Sequence, residues 1–434
     1  MGRIRRTQSI LGVNCWLPVF LMAAILSVPA AAQTFTVLHS FMGSDGGTPN
    51  AGLTMDRAGN LYGTTMVGGN YNPSCFANTG CGTVFKLSHS GTGWVLSELY
   101  RFNGTSDGAT PMARVVLGPD GALYGTTYYL GPNGDGTVFK LQPPATFCHS
   151  ISCPWTQTTL IGLAQSTGDA PLGDLTFDAA GNIYGTTALG GIFRNCEGSG
   201  CGVVYKLSRS GGSWTEDILY NFTDGADGGM PASGVIFDQA GNLYGTTMTE
   251  IFQGHMAGVV FELSPSSGSW TEKTLYHFTG GDDGSRPNTP LILDAAGNLY
   301  GTTEYAGSGR GGTAFELSPA GNSWNFTLLQ SFSGLAGSEG ALIQDAAGNL
   351  YGTTNVDGLY GYGSVFKLTP SNGGYVYTSL HDFTAGSDGA YPYSNLVMDS
   401  QGNLYGTASS GGLSGHCWNY LGYPTCGVVF EITP

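Results

Sequence analysis

Charge is what this 434-residue sequence has least of: only 10% of its side chains are Asp, Glu, Lys or Arg, and just 15 are basic. Globular chains ordinarily carry about a quarter. Arg3, Arg5 and Arg6 all precede Gln33, so from there on 12 basic side chains face 30 acidic ones, a net −18. Nucleic acids and anionic lipid surfaces are bound through Lys and Arg, so this balance excludes both as partners. Long apolar runs are missing too. Trp16 to Leu26 is about eleven residues and is broken by Pro18, whereas a bilayer span takes roughly 20, so no membrane insertion is expected. From Gln33 onward nothing keeps apolar residues at helical spacing behind a capped start, which leaves no helix to assign. Catalytic constellations are absent as well: we find no nucleophile elbow, no His-Glu-x-x-His and no phosphate-binding loop.

What is present begins with a leader. Three arginines, the short apolar run and Ala30-Ala31-Ala32 ahead of Gln33 read as a cleavable signal peptide over 1–32. The product is then secreted or periplasmic and surface-associated. The sequence stops at Pro434 directly after a strand-like run, with no anchor in view. Eight cysteines follow the leader in close pairs: Cys75/Cys81, Cys148/Cys153, Cys196/Cys201 and Cys417/Cys426. An even count in an exported chain points to disulfides. Zinc sites favour tighter gaps and two pairs brought together, so the pairing reading is preferred.

The 72 glycines have a period. Leu/Ile-Tyr-Gly-Thr recurs seven times, with its tyrosine at 62, 124, 184, 244, 300, 351 and 405. Successive spacings are 62, 60, 60, 56, 51 and 54 residues. Each repeat holds four short β-branched or aromatic runs separated by turn residues. Asp56, Asp178, Asp238, Asp294, Asp345 and Asp399 open an Asp-x-x-Gly-Asn turn between the first two runs, a tight hairpin by its chemistry. Gly118 and Ala122 show the second repeat departing from that pattern.

Seven repeats of four antiparallel strands make an all-β, seven-bladed β-propeller, a single domain over 33–434. A β-solenoid would need far shorter coils. Phe35–Phe41 matches the fourth strand of a repeat, and Val428–Ile432 matches a third. The N-terminal strand should therefore complete the last blade and remove the open edge. Trp94, Trp155, Trp214, Trp270 and Trp324 recur at the start of the fourth strand, a position for packing between blades.

The phrases Asp-Ala-Ala-Gly-Asn-Leu-Tyr-Gly-Thr-Thr (294–303 and 345–354) and Gly-Thr-Val-Phe-Lys-Leu (82–87 and 136–141) resemble the Gloeo/Verruco tandem repeat, GloVer. The resemblance covers essentially the whole chain after the leader. It implies an exported bacterial repeat protein and carries no catalytic residues with it.

Two features fall on one predicted face, the one bearing the inter-blade loops and the loops between second and third strands. The first is an Asp-Gly-x-x-Pro loop with Asp45, Asp107, Asp227, Asp283 and Asp388. A ring of five carboxylates suits calcium, although the same residues also shape a turn and no cofactor is required. The second is loop length. From the second Thr position to the Gly opening the third strand the gaps are 17, 9, 15, 11, 9, 9 and 19 residues. Repeats one, three and seven thus stand tallest, bearing Tyr71, Phe76, Phe193, Trp418, Tyr420 and Tyr423. Exposed aromatics beside a rim of low charge suit sugar rings or peptide segments. These observations predict a monomeric binding or surface-interaction propeller with a glycan or protein ligand. The alternative is an enzyme of lyase, lactonase or polysaccharide-cleaving type at the channel mouth.

Overall fold

A computed structural model describes residues 1–2, 33–75, 79–91, 93–144, 155–192, 196, 198–249, 257–334, 337, 340–413 and 426–434. The signal-peptide reading falls on residues outside this set. Within the unit Gln33–Pro434, every named element is a strand, and the strands form seven four-stranded antiparallel sheets. Blade 1 consists of Thr54–Met55, Leu61–Thr65, Thr83–Ser90 and Gly93–Arg101, paired in that order from the channel outward. Blades 2 to 6 repeat it over 116–162, 176–221, 236–277, 292–333 and 343–382. Blade 7 takes three strands from the C-terminus, Val397–Met398, Leu404–Ala408 and Val428–Thr433, and its outer strand, Thr34–Ser40, from the N-terminus. Thr34 pairs with Thr433 and Ser40 with Val428. The expected propeller and its closure are both observed.

The recurrent phrase explains each blade. In the first hairpin, Asp238 accepts the backbone N–H groups of Ala240 and Asn242 at 2.8 and 2.9 Å, the Asn242 side chain at 2.8 Å and the Tyr244 hydroxyl at 3.2 Å. Burial pushes this carboxyl up, but those hydrogen bonds outweigh it and hold the group below the usual carboxylate range. The other five turn aspartates behave alike. In blade 2 the pattern slips by two residues: Asp120 takes the Tyr124 hydroxyl at 2.9 Å and pairs with Lys140 at 2.6 Å. The glycine after each tyrosine makes room across the ladder. A Cβ on Gly245 would lie 2.5 Å from the Phe261 ring.

Three contacts repeat between blades. The first threonine of Gly-Thr-Thr donates to a carbonyl at the inner edge of the next blade at all seven seams, from Thr64 to Ala113 O at 3.2 Å through Thr353 to Ser394 O at 3.1 Å. At six seams a phenylalanine at the end of the outer strand meets the third-strand phenylalanine of the following blade, as in Phe41–Phe85 at 5.2 Å and Phe278–Phe315 at 5.1 Å. Each such ring pair adds ~1 kcal/mol beyond its buried area. The recurrent tryptophans pack edge-on against the preceding blade's tyrosine: Trp94–Tyr405, Trp155–Tyr62, Trp270–Tyr184 and Trp324–Tyr244, at 5.9 to 6.4 Å. The seam between blades 2 and 3 breaks both ring patterns. Leu163 stands in place of the phenylalanine and Tyr205 in place of the third-strand phenylalanine, both fully buried. Trp214 and Tyr124 make no ring contact.

Candidate functional site: the channel mouth

Short bridges tie the inter-blade loops to the loops after the second strand: Gly47 to Val67, Ala109 to Tyr129, Asp169 to Leu189, Gly229 to Thr249, Ser285 to Tyr305 and Ala390 to Ser410. Both loop sets therefore emerge on one face, around the channel.

The five aspartates of these loops are not brought together. Each is consumed within its own turn by a side chain from the end of the fourth strand and by nearby backbone N–H groups. Asp107, Asp227 and Asp283 accept the hydroxyls of Tyr100, Tyr220 and Tyr276 at 3.0 Å. Asp45 and Asp388 meet His39 and His381 at 2.9 and 3.2 Å. Asp227 also accepts Thr223 N–H at 3.0 Å. Among the described residues no three His, Cys, Asp or Glu side chains gather around one point that would hold a metal ion.

What these aspartates shape is the residue before the proline. Thr48, Thr110, Ala170, Met230, Arg286 and Tyr391 all have φ between 54 and 60°. Residues preceding proline ordinarily adopt extended backbone, and a non-glycine residue in the left-handed region costs on the order of 1 kcal/mol or more. Backbone bonds on both sides hold the conformation. Thr110 N–H donates to Cys81 O of the preceding blade at 2.8 Å, while Tyr128 N–H donates to Thr110 O at 3.0 Å. Met230 does the same with Cys201 O and Met248 N–H. The strain sits in a ring around the channel mouth, where side chains are presented to whatever enters.

Two further rings follow in sequence. One residue past the proline come Asn50, Met112, Leu172, Ala232, Asn288 and Tyr393, which line a funnel of about 480 Å³. Tyr128, Tyr129, Met66, Met248 and the pair Arg286–Glu304 complete its wall, the last at 3.6 Å. Tyr128 and Tyr129 meet edge to face at 4.2 Å, and burial first, then Tyr129, pushes the Tyr128 hydroxyl up to about 12. Asn50 and Asn288 spend their amide N–H groups on Met66 Sδ at 3.7 Å and Glu304 Oε2 at 3.5 Å. Their Oδ1 atoms, and the Thr110 hydroxyl, are buried with no hydrogen-bond partner among the described residues. Such lone pairs carry a cost until a donor reaches them. Three residues past the proline, polar side chains cross the channel. Asp174 accepts Arg114 N–H at 2.9 Å and Arg114 Nε–H at 3.0 Å, and Asn395 reaches it across the channel at 3.4 Å. Gly52 and Gly234 at the equivalent positions leave the space, since a Cβ there would lie 2.8 and 2.4 Å from Asn395 O and Asp174 O.

Of the aromatics expected on the tall loops, Tyr71 is exposed and does not line the funnel. Phe76, Phe193, Trp418, Tyr420 and Tyr423 lie outside the described residues, as do Cys148, Cys153 and Cys417. Cys75–Cys81 and Cys196–Cys201 are bonded as expected, with Cα separations of 5.1 and 5.3 Å, and Cys426 is disulfide-bonded. Contrary to the expectation of none, Gly104-Thr105-Ser106-Asp107-Gly108 does have the Gly-x-Ser-x-Gly spacing of a nucleophile elbow, but it joins two strands rather than a strand and a helix, and Asp107 holds Thr105 N–H at 3.1 Å. Sequence reasoning missed the funnel. The variable residues flanking each inter-blade proline were its signal.

Fold and site define a disulfide-stapled seven-bladed propeller with a funnel on its loop face. Among solved structures of similar fold, a fungal alcohol oxidase of the AA5 family, in complex with copper, superposes with a TM-score of 0.54 at 14% identity, covering 93% of this chain and 77% of that one. The extracellular domain of a protein assigned as a one-component system from B. thetaiotaomicron gives 0.51 at 10% identity and 91% coverage, this chain spanning 39% of that one. At such identities the likeness concerns the fold alone. No curated protein sequence matches. The Gloeobacter/Verrucomicrobia repeat profile matches residues 20–198 and 191–420, and the chain belongs to that family. Among the described residues no helix is long and apolar enough to cross a membrane.

Proposed function

We propose that this propeller is exported and binds an extracellular glycan in the funnel at its channel mouth. One observation carries the reading: tyrosine rings and asparagine side chains share one concave wall. Tyr128, Tyr129 and Tyr393 offer faces to the C–H surfaces of a sugar, and Asn50, Asn288 and Thr110 set polar side chains among them. The wall pairs its one arginine, Arg286, with Glu304, which suits an uncharged sugar. Export is supported by the local disulfides, which persist in oxidising compartments, and by the leader-like residues 1–32. No histidine is among the funnel's described lining residues, so the enzyme alternative draws no support from that wall. The test is an array of neutral glycans probed with purified protein, with and without chelator, followed by calorimetry on Asn50→Ala/Asn288→Ala. Binding that survives chelation and drops at least tenfold in the double variant supports the funnel. Binding that is unchanged by the double variant removes it, and binding abolished by the chelator replaces it with a cation-dependent site.

A further inference from the structure

The seam between blades 2 and 3 carries the tryptophan and tyrosine of the four tryptophan-closed seams yet departs from them at the opposite end of the blades, beside the degenerate Gly118–Ala122 hairpin. Four seams are closed there by a tryptophan edge against a tyrosine. At this one Trp214 and Tyr124 stand apart and line a cavity of about 430 Å³. The sequence explains the opening. Ala122 stands where the other hairpins carry asparagine, and Arg209 stands where His89, Pro265, Pro319 and Pro370 precede their turns.

The chemistry gathered there is unusual for so acidic a chain. Lys140 and Arg209 both line the cavity, two of only 12 basic residues after the leader. Asp120 neutralises Lys140 at 2.6 Å. Arg209 is exposed and has no carboxylate partner among the described residues. It sits directly across the ladder from Trp214. The neighbouring hydroxyls are also uncommitted. Ser269 and Ser323 close their turns by donating to Ser266 O and Ala320 O, whereas Ser213, at the same position and on the cavity wall, makes no such bond. Thr158, also on the wall, has none either.

We propose that this seam is a second binding site, distinct from the funnel, for the carboxylate-bearing sugar of an acidic glycan. Trp214 supplies a flat apolar platform for the pyranose face. The Arg209 guanidinium forks onto the carboxylate in the bidentate geometry that lysine cannot offer. Ser213 and Thr158 take the ring hydroxyls.

Calorimetry on the purified full chain tests this with a galacturonate trimer, its methyl ester and a sulfated trisaccharide. The acid should bind, its ester should bind at least tenfold more weakly, and Arg209→Gln should lose tenfold or more with an unchanged melting temperature. Trp214→Phe, which keeps the packing, should weaken binding less than Arg209→Gln does. The site is overturned if the acid does not bind, if the ester binds equally, if Arg209→Gln has no effect, or if the loss follows Asn288→Ala instead. Preference for the sulfated sugar overturns the carboxylate assignment.

Discussion

The Thr407 hydroxyl donates to the Ala51 carbonyl at 3.0 Å, across 356 residues of chain. It is the last of seven threonine bonds between adjacent blades, and it closes the ring at its inner edge just as Thr34–Ser40 closes it at the outer one. Both partners are buried, so losing the donor leaves a carbonyl unpaired.

Thr407→Val should therefore cost about 1–2 kcal/mol in urea unfolding. Thr215→Val, whose exposed hydroxyl reaches Ser208 O at 3.3 Å, should stay within ~0.5 kcal/mol of the parent. Equal effects at the two sites would mean the seam bonds add nothing.

Deleting residues 33–42 removes the outer strand of blade 7 and Phe41, which packs on Phe85 at 5.2 Å. The edge Val428–Thr433 is then unpaired, and aggregation or a broadened, less cooperative transition should follow. Light scattering and calorimetry read both. A truncated chain that melts like the parent would leave the closing strand without a role.

Glu272, half-buried on the outer strand of blade 4, has its carboxyl pushed up to about 7 by burial first and by Asp227, against Thr274 and His277. Between its ordinary value of 4.5 and that raised one, the folded chain holds a proton that the unfolded chain releases. Stability accordingly falls as pH rises through this window. Glu272→Gln should raise the melting temperature at about pH 8, with the gain shrinking toward nothing near pH 4.5. A gain independent of pH would assign the effect to packing.

Mass mapping should recover Cys75–Cys81 and Cys196–Cys201, together with Cys148–Cys153 and Cys417–Cys426. Replacing Cys75 and Cys81 together by serine should cost ~2 kcal/mol on the loop-closure argument. A crosslink from Cys81 to Cys196 would contradict the local pairing.

Much of the fold was legible because it is written seven times. Asp238 with Asn242 predicts a hairpin from local chemistry alone, and Phe35–Phe41 declares itself a stray fourth strand by matching its counterparts. The site was less legible because its determinants are not local. Asp107 looked like one member of a carboxylate ring, yet Tyr100, seven residues upstream across a turn, takes it. Thr110 before Pro111 reads as extended, and only backbone bonds to Cys81 and Tyr128 hold it left-handed. Asp174 and Asn395, 221 residues apart, become neighbours only once the ring has closed.

Because Thr34–Ser40 pairs with Val428–Thr433, the first strand of the propeller waits for the last. A ribosome making this chain releases six blades before the seventh is complete, so an open arc with a bare strand at each end precedes the circle. Those ends are sticky in the way any unpaired sheet edge is. Final closure is a long-range event, set by how fast two distant ends meet. A stop one strand short would leave the arc without its latch.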